Sequence, residues 1–265
     1  MFQPLYVAAT GLSALEEEIL NITDNLSNAQ TVAFKKGRTE MESLFYVDKT
    51  FQDMLQEEMD GYETPPVNVE HGTGVRVAAT TRNFAQGSIS VTNNPLDLAI
   101  NGEGFFQFLM QDGTMAYGRA GNLHIDNEGN IVDPNGRKLV PEIVIPTGTT
   151  SMVFRQDGAI FVAVDGSNTY SEIGQLDIAR FTNSAGLKSI GQNLYQATAA
   201  SGEAMLGTAG EDGYGLINQY ALEQSNVDVI SEMMRMVMVQ RVFDTVSKAV
   251  QSYESMLTSL ERMKQ

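Results

Sequence analysis

Cysteine is absent from all 265 residues. Disulfides, thiolate zinc sites, iron–sulfur clusters and a cysteine nucleophile are excluded together, and the chain is indifferent to the redox state of its compartment. Tryptophan is also absent, and the only histidines are His71 and His124. Neither has a partner at metal-ligand spacing or the neighbours of a nucleophilic triad, so both read as surface or turn residues. Basic residues are scarce: 17 Lys and Arg stand against 33 Asp and Glu, a formal charge of −16. A general attraction to phosphate backbones is therefore missing, and nucleic acid is not expected as a partner. The richest apolar window, MMRMVMVQRVF, holds two arginines and a glutamine. It falls short of the roughly 18 to 20 apolar residues that span a bilayer, so no membrane insertion is expected. The N-terminus lacks a basic n-region and meets three glutamates early, so no cleaved signal peptide is expected.

Phosphate cradles and metal loops are lacking too. Gly102-Glu103-Gly104 has no third glycine of the dinucleotide fingerprint, and no Walker sequence occurs. Asp126, Glu128 and Asn130 have the look of a calcium loop, but Ile131 stands where glycine is needed and Arg137 where glutamate is needed, which makes the segment a hairpin turn. Carboxylates are plentiful, yet nothing picks out a glycosidase-type pair. No catalytic, cofactor-binding or metal-ligating residue is assigned, and no cofactor is expected.

What the chain does have is periodicity at both ends. Leu5, Ala8, Leu12, Leu15, Ile19, Ile22 and Leu26 recur at alternating steps of three and four, with Glu16, Glu17, Glu18, Thr23 and Asn25 on the other face. A helix of about 22 residues, about 33 Å long, is only marginally stable alone, so it needs a partner. Val227, Ile230, Met234, Met238, Val242, Val246, Ala249, Tyr253, Met256, Leu260 and Met263 form a second stripe whose steps average 3.6. Strict heptad alternation returns only from Val246, so a plain left-handed supercoil is not expected in the first half. Ser225 or Asn226 is the expected N-cap, with Asp228 and Glu232 in or near the first turn. The stripes fit either an intramolecular hairpin or an assembly. Assembly is favoured by Met233, Met234, Met236 and Met238, which spread an adaptable apolar surface wider than one helix covers. Both stripes are therefore candidate subunit-interface residues.

Between about Gly74 and Tyr220 the period changes from 3.6 to 2, as in the alternation of Ile160, Val162 and Val164 or of Leu176 and Ile178. Gln111-Asp112-Gly113, Asn127-Glu128-Gly129, Pro134-Asn135-Gly136 and Gln156-Asp157-Gly158 are turn signals between short strands. The expected fold is α+β: long terminal helices (1–35 and 222–265) forming one discontinuous helical domain, a connecting arm (36–73), and a central, mainly antiparallel β domain (74–221). Within the arm, Tyr46 to His71 is strongly acidic and contains Pro65-Pro66, which cannot continue a helix. Lys35, Lys36 and Arg38 form the one basic cluster; the plain reading is a solvated face, the functional one a neutraliser of acidic neighbours.

Several blocks resemble the bacterial flagellar rod and hook family, end to end. In AATGLSALEEEILNITDNLSNAQTVAFKK, the residues Asn25, Leu26, Ser27, Asn28, Thr31, Phe34 and Lys35 match its rod signature. Ala33 stands where the family usually has glycine; should that position need a positive φ, alanine would be strained. FAQGSISVTNNPLDLAINGEGFFQF is the most specific block, with Gly87, Thr92, Asn94, Leu96, Asp97, Gly102, Gly104, Phe105 and Phe106 on the pattern. Ser225, Asn226, Val227, Gln240, Arg241 and Lys248 match the family's terminal helix. The resemblance implies terminal helices forming an inner tube, a connecting arm and an outer β domain. It further implies a non-enzymatic subunit exported by the flagellar type III apparatus and assembled into a helical homopolymer crossing the periplasm to the outer membrane. Its implied partners are proximal rod and hook subunits and the peptidoglycan and outer-membrane rings. The length leaves no room for the extra outer domain of hook proteins, and the additional arm segment resembles distal rod members. The alternatives are a proximal rod or hook subunit or, from another class, a secreted carboxylate hydrolase or a binding module.

Overall fold

A computed structural model describes residues 3–50, 68–164 and 169–263. The middle of the acidic arm, 51–67 with Pro65-Pro66, lies outside the described residues, as does the side chain of Leu260. The chain divides into two compact units, both discontinuous in sequence: one of 1–26, 37–81 and 229–265, the other of 27–36 and 82–228.

In the first unit are the two long helices, α1 (Gln3–Ser27) and α2 (Val229–Met263). Strand β1 (Gly37–Ser43) pairs with β4 (Val75–Arg82), and β2 (Tyr46–Thr50) runs antiparallel to β3 (Asn68–Gly72) with Tyr46 opposite Gly72. Helix α2 begins at Val229, so the residue before it is Asp228 and not the expected Ser225 or Asn226. Those two side chains are used by non-helical backbone instead: Ser225 Oγ accepts from the N–H of Val227 at 3.3 Å, and Asn226 bonds the backbone of Lys36, Asn83 and Ala85. Among the described residues no helix is long and apolar enough to cross a membrane.

The second unit is antiparallel β structure. Its largest sheet orders β16 (Lys188–Gly191), β17 (Leu194–Gln196), β8 (Met115–Gly118), β7 (Phe106–Leu109), β11 (Lys138–Val140), β10 (Ile131–Val132) and β9 (His124–Ile125) side by side. A three-stranded sheet joins β12 (Thr149–Phe154), β13 (Ala159–Val164) and β14 (Ser171–Gln175). Three pairs complete it: β15 (Asp177–Arg180) with β18 (Met205–Thr208), β19 (Leu216–Gln219) with β6 (Leu98–Asn101), and β20 (Ala221–Glu223) with β5 (Ile89–Val91). The period of two is visible in β13, where Ile160 and Val162 are fully buried and Phe161 between them is not. Leu98, Ile100, Phe106, Phe108, Leu123, Ile178 and Ile217 join them in one core, the main source of stability through apolar area removed from water. All four turn signals are turns. In one of them Gly158 has φ 91° and Asp157 Oδ1 accepts from the N–H of Ala159 at 3.0 Å.

The units are bounded differently from the expected division at 74 and 221. Strand β4 belongs with the first unit because it pairs with β1. Residues 27–36 join the β unit because their backbone bonds into it, Ala33 N–H to Glu223 C=O at 2.8 Å and Asn226 N–H to Phe34 C=O at 3.3 Å.

Candidate assembly interface

Helix α2 is apolar on two opposite sides. Glu232, Met236, Val239, Phe243, Val246, Val250, Tyr253 and Leu257 recur at steps of four and three, and every one is buried or half-buried within the chain. On the opposite side Ile230, Met233, Met234, Val237, Met238 and Val242 are each 47–69% exposed. The stripe expected from the sequence crosses between these faces. Ile230, Met234, Met238, Val242, Ala249 and Met256 lie on the exposed side and Val246 and Tyr253 on the covered one, while Val227 precedes the helix and is half-buried. A step of 3.6 follows any straight line along a helix, so it cannot separate two apolar faces.

In α1, Ile22 is fully buried, and Leu5, Ala8, Leu12, Leu15, Ile19 and Leu26 are half-buried. The deepest cover falls to one flank of the expected stripe, on Ala14, Ile22 and Asn25. Asn25, on the polar face in the sequence, reads both polar groups of Gly37: its Nδ2 donates to the Gly37 carbonyl at 3.0 Å and its Oδ1 accepts from the Gly37 N–H at 2.8 Å. The same Nδ2 reaches Glu232 Oε2 at 3.3 Å, and Arg235 Nη2 pairs with Glu18 Oε1 at 2.8 Å. Partner numbers rise on α2 as they fall on α1, so the helices run in opposite senses. Gln240 and Arg241 are exposed on α2.

In the second unit the other motif residues surround a buried ionic cluster. Lys35 is fully buried; its Nζ sits 2.6 Å from Glu223 Oε1 and donates to the Ala85 carbonyl at 2.8 Å. Arg119, also buried, reaches Glu223 Oε2 at 3.3 Å and donates to the Gly102 carbonyl at 2.7 Å. The Gly87 N–H donates to Glu223 Oε1 at 2.9 Å. Burial pushes the Lys35 ammonium below its ordinary value; Glu223 pulls it up and the charge of Arg119 adds to the depression. Of the basic cluster, Lys35 is therefore not on a solvated face. Lys35 belongs to the interior, and Arg38 is exposed but paired with Glu40 at 3.2 Å.

Asn226 Oδ1 accepts from the Lys36 N–H at 2.8 Å, and its Nδ2 donates to the carbonyls of Asn83 and Ala85 at 2.8 and 2.9 Å. Ser225 is buried beside it, and Asn28 Oδ1 accepts from Thr31 Oγ1 at 3.1 Å in the turn after α1. Phe34 is buried under the guanidinium of Arg82, 5.1 Å from the ring centre. Asp97 Oδ1 accepts from Asn94 Nδ2 at 2.9 Å. Gly102 and Gly104 both have positive φ, and a Cβ on Gly104 would lie 2.1 Å from Ile178 Cγ2, so no side chain fits there. That close approach seats Phe105 and Phe106 in the interior. Sequence reasoning missed Glu223. Its signal was the alternation in β20, where Ala221 and Glu223 share the buried face.

Terminal helices that flank an inserted β unit, with a wide apolar helix face left open, define a structural subunit of a larger assembly. Residues 99–162 match the family described as flagellar hook protein FlgE/F/G D1 domain, and 218–263 match flagellar basal body rod FlgEFG protein C-terminal. Relatives called flagellar basal-body rod protein FlgG include one from Borreliella burgdorferi, 38% identical over 266 residues (100% of this chain, 99% of the relative). Others come from Caulobacter vibrioides, 35% over 262 residues (99% of each), and Bacillus subtilis, 32% over 275 residues (100% of each). The chain belongs to the flagellar basal-body rod protein family. It is a structural protein of the flagellum and not an enzyme.

Proposed function

We propose that the chain is the distal rod subunit, polymerising helically into a hollow shaft that carries torque from motor to hook. The observation that carries this reading is the second apolar face of α2, which the chain itself leaves uncovered although the opposite face is closed by its own residues. Identical subunits joined by contacts that do not close on themselves build such a filament. In it Leu5, Ala8, Leu12, Leu15, Ile19, Ile22 and Leu26 of α1 and the α2 stripe form an inner tube. Proximal rod and hook subunits adjoin the two ends, and the peptidoglycan and outer-membrane rings surround the shaft. The chain reaches this place, spanning periplasm to outer membrane, through the flagellar type III apparatus. Electron microscopy of the purified protein over a concentration series, with sedimentation alongside, tests the reading. Straight tubular filaments are expected; a compact monomer at every concentration would overturn the polymer reading.

A further inference from the structure

A groove of about 840 Å³ opens in the β unit, and its lining is unlike the rest of this acidic chain. Arg82, Arg119 and Arg180 face it, and Glu103 is the one carboxylate among the described residues that line it. With Lys35 and Glu223 directly behind Arg119, four cations stand against two carboxylates. The guanidinium groups are held in place. Arg119 is anchored by Gly102 and Glu223 and lies over the Phe105 ring at 5.5 Å; Arg180 Nε pairs with Glu103 at 3.0 Å. Phe84, Phe105 and Phe181 form an edge-to-face aromatic floor with centroids 5.4 and 5.7 Å apart, and half-exposed Met205 extends the rim. Arg180, with 37% of its side chain exposed, and half-buried Arg82 thus present cationic edges to a carboxylate, with buried Arg119 adding positive charge behind them and apolar surface alongside for the chain that bears it.

We infer that this groove receives an acidic loop of a second copy of the chain. The inference rests on the homopolymer reading above. A second copy carries 33 acidic residues and a formal charge of −16, so copies repel one another over most orientations. The groove is a place where that charge becomes an attraction and selects one orientation. Arginine is suited to this because its planar fork binds a carboxylate through two donors at once.

A benzoyl-phenylalanine photocrosslinker at Thr182 or Met205, both at the groove and both exposed, tests the occupant. Irradiated filaments are expected to yield crosslinked dimers whose second partner peptide is acidic, and dilute monomer to yield none. Thr182→Glu, which removes no described ion pair, is expected to raise the critical concentration of assembly at least about tenfold with an unchanged monomer melting point; Arg180→Glu, which also breaks the pair with Glu103, should raise it as well. Filaments that form without crosslinks from either position, with Thr182→Glu assembling normally, overturn the groove's role and leave the rod reading standing. A wild-type chain that stays monomeric at every concentration overturns the homopolymer reading and this occupant with it.

Discussion

Ala33 is buried with φ 56°, a left-handed conformation, and its N–H bonds to the Glu223 carbonyl at 2.8 Å. For a residue with a Cβ this conformation costs roughly 1–2 kcal/mol. Ala33→Gly would relieve that, but it frees the unfolded chain and removes a buried methyl, each worth on the order of 0.5–1 kcal/mol. The expected net change is within about 1 kcal/mol. Ala33→Val places a β-branched side chain in the same conformation and should destabilise by at least about 2 kcal/mol; urea midpoints of the two variants distinguish them. A second residue-scale effect concerns pH. Burial pushes the Tyr195 phenol up to about 12 and moves Tyr117 in the same direction. Between its ordinary value of 10.0 and about 12, the unfolded chain has released the Tyr195 proton and the native one has not. Stability present below pH 10 should therefore decline as pH rises through this window. Lys35 works in the opposite sense just below 10.5, where the native chain loses its proton first. Tyr195→Phe should flatten the decline, measured as denaturation midpoints at pH 9, 10 and 11.

The two apolar faces of helix α2 differ in what they hold. Val239 is buried on the covered face and Met234 is exposed on the other. Val239→Asp should lower helical circular dichroism in the monomer, because an unpaired charge buried there costs several kcal/mol. Met234→Asp should leave the monomer within about 0.5 kcal/mol of wild type and abolish filaments in the microscope. Equal assembly by both variants would remove this face from the interface. The helices were legible as helices from their periodicity, and the turns from their Asp and Gly residues. Which side of α2 is closed was not legible, because methionine and valine occupy both sides and only the packing of the folded chain distinguishes them.

At the scale of the whole molecule, each unit is assembled from distant pieces of sequence. Lys35 and Glu223 are 188 residues apart and share a bond of 2.6 Å. In the intact chain Glu223→Gln leaves two buried cations without their carboxylate and should cost about 3–5 kcal/mol. In an excised fragment of residues 82–228, Lys35 is missing, so the fragment should melt lower than the β unit of the whole chain. There Glu223→Gln should cost less, by about 1–2 kcal/mol, since one of the two cations is already gone. Calorimetry of the four proteins closes this cycle; equal costs in both contexts would mean that Lys35 and Glu223 are not coupled.

The sequence by itself determined the classes of structure: two long terminal helices, a β unit between them, and a chain without cysteine or a catalytic constellation. These follow from local spacing and composition, which need no knowledge of distant partners. Motif residues such as Lys35, Asn25 and Asn226 could be singled out, but their roles could not, because a charged or amide side chain looks the same in sequence whether it meets water or a buried partner. The tertiary structure decided that Lys35 is interior, that Asn25 clasps Gly37, that the helix start passes from Asn226 to Val229, and that one face of α2 is closed while the other stays open. Each depends on residues far apart in the chain meeting in space, and burial then fixes whether a polar group must be paired or can remain in solvent.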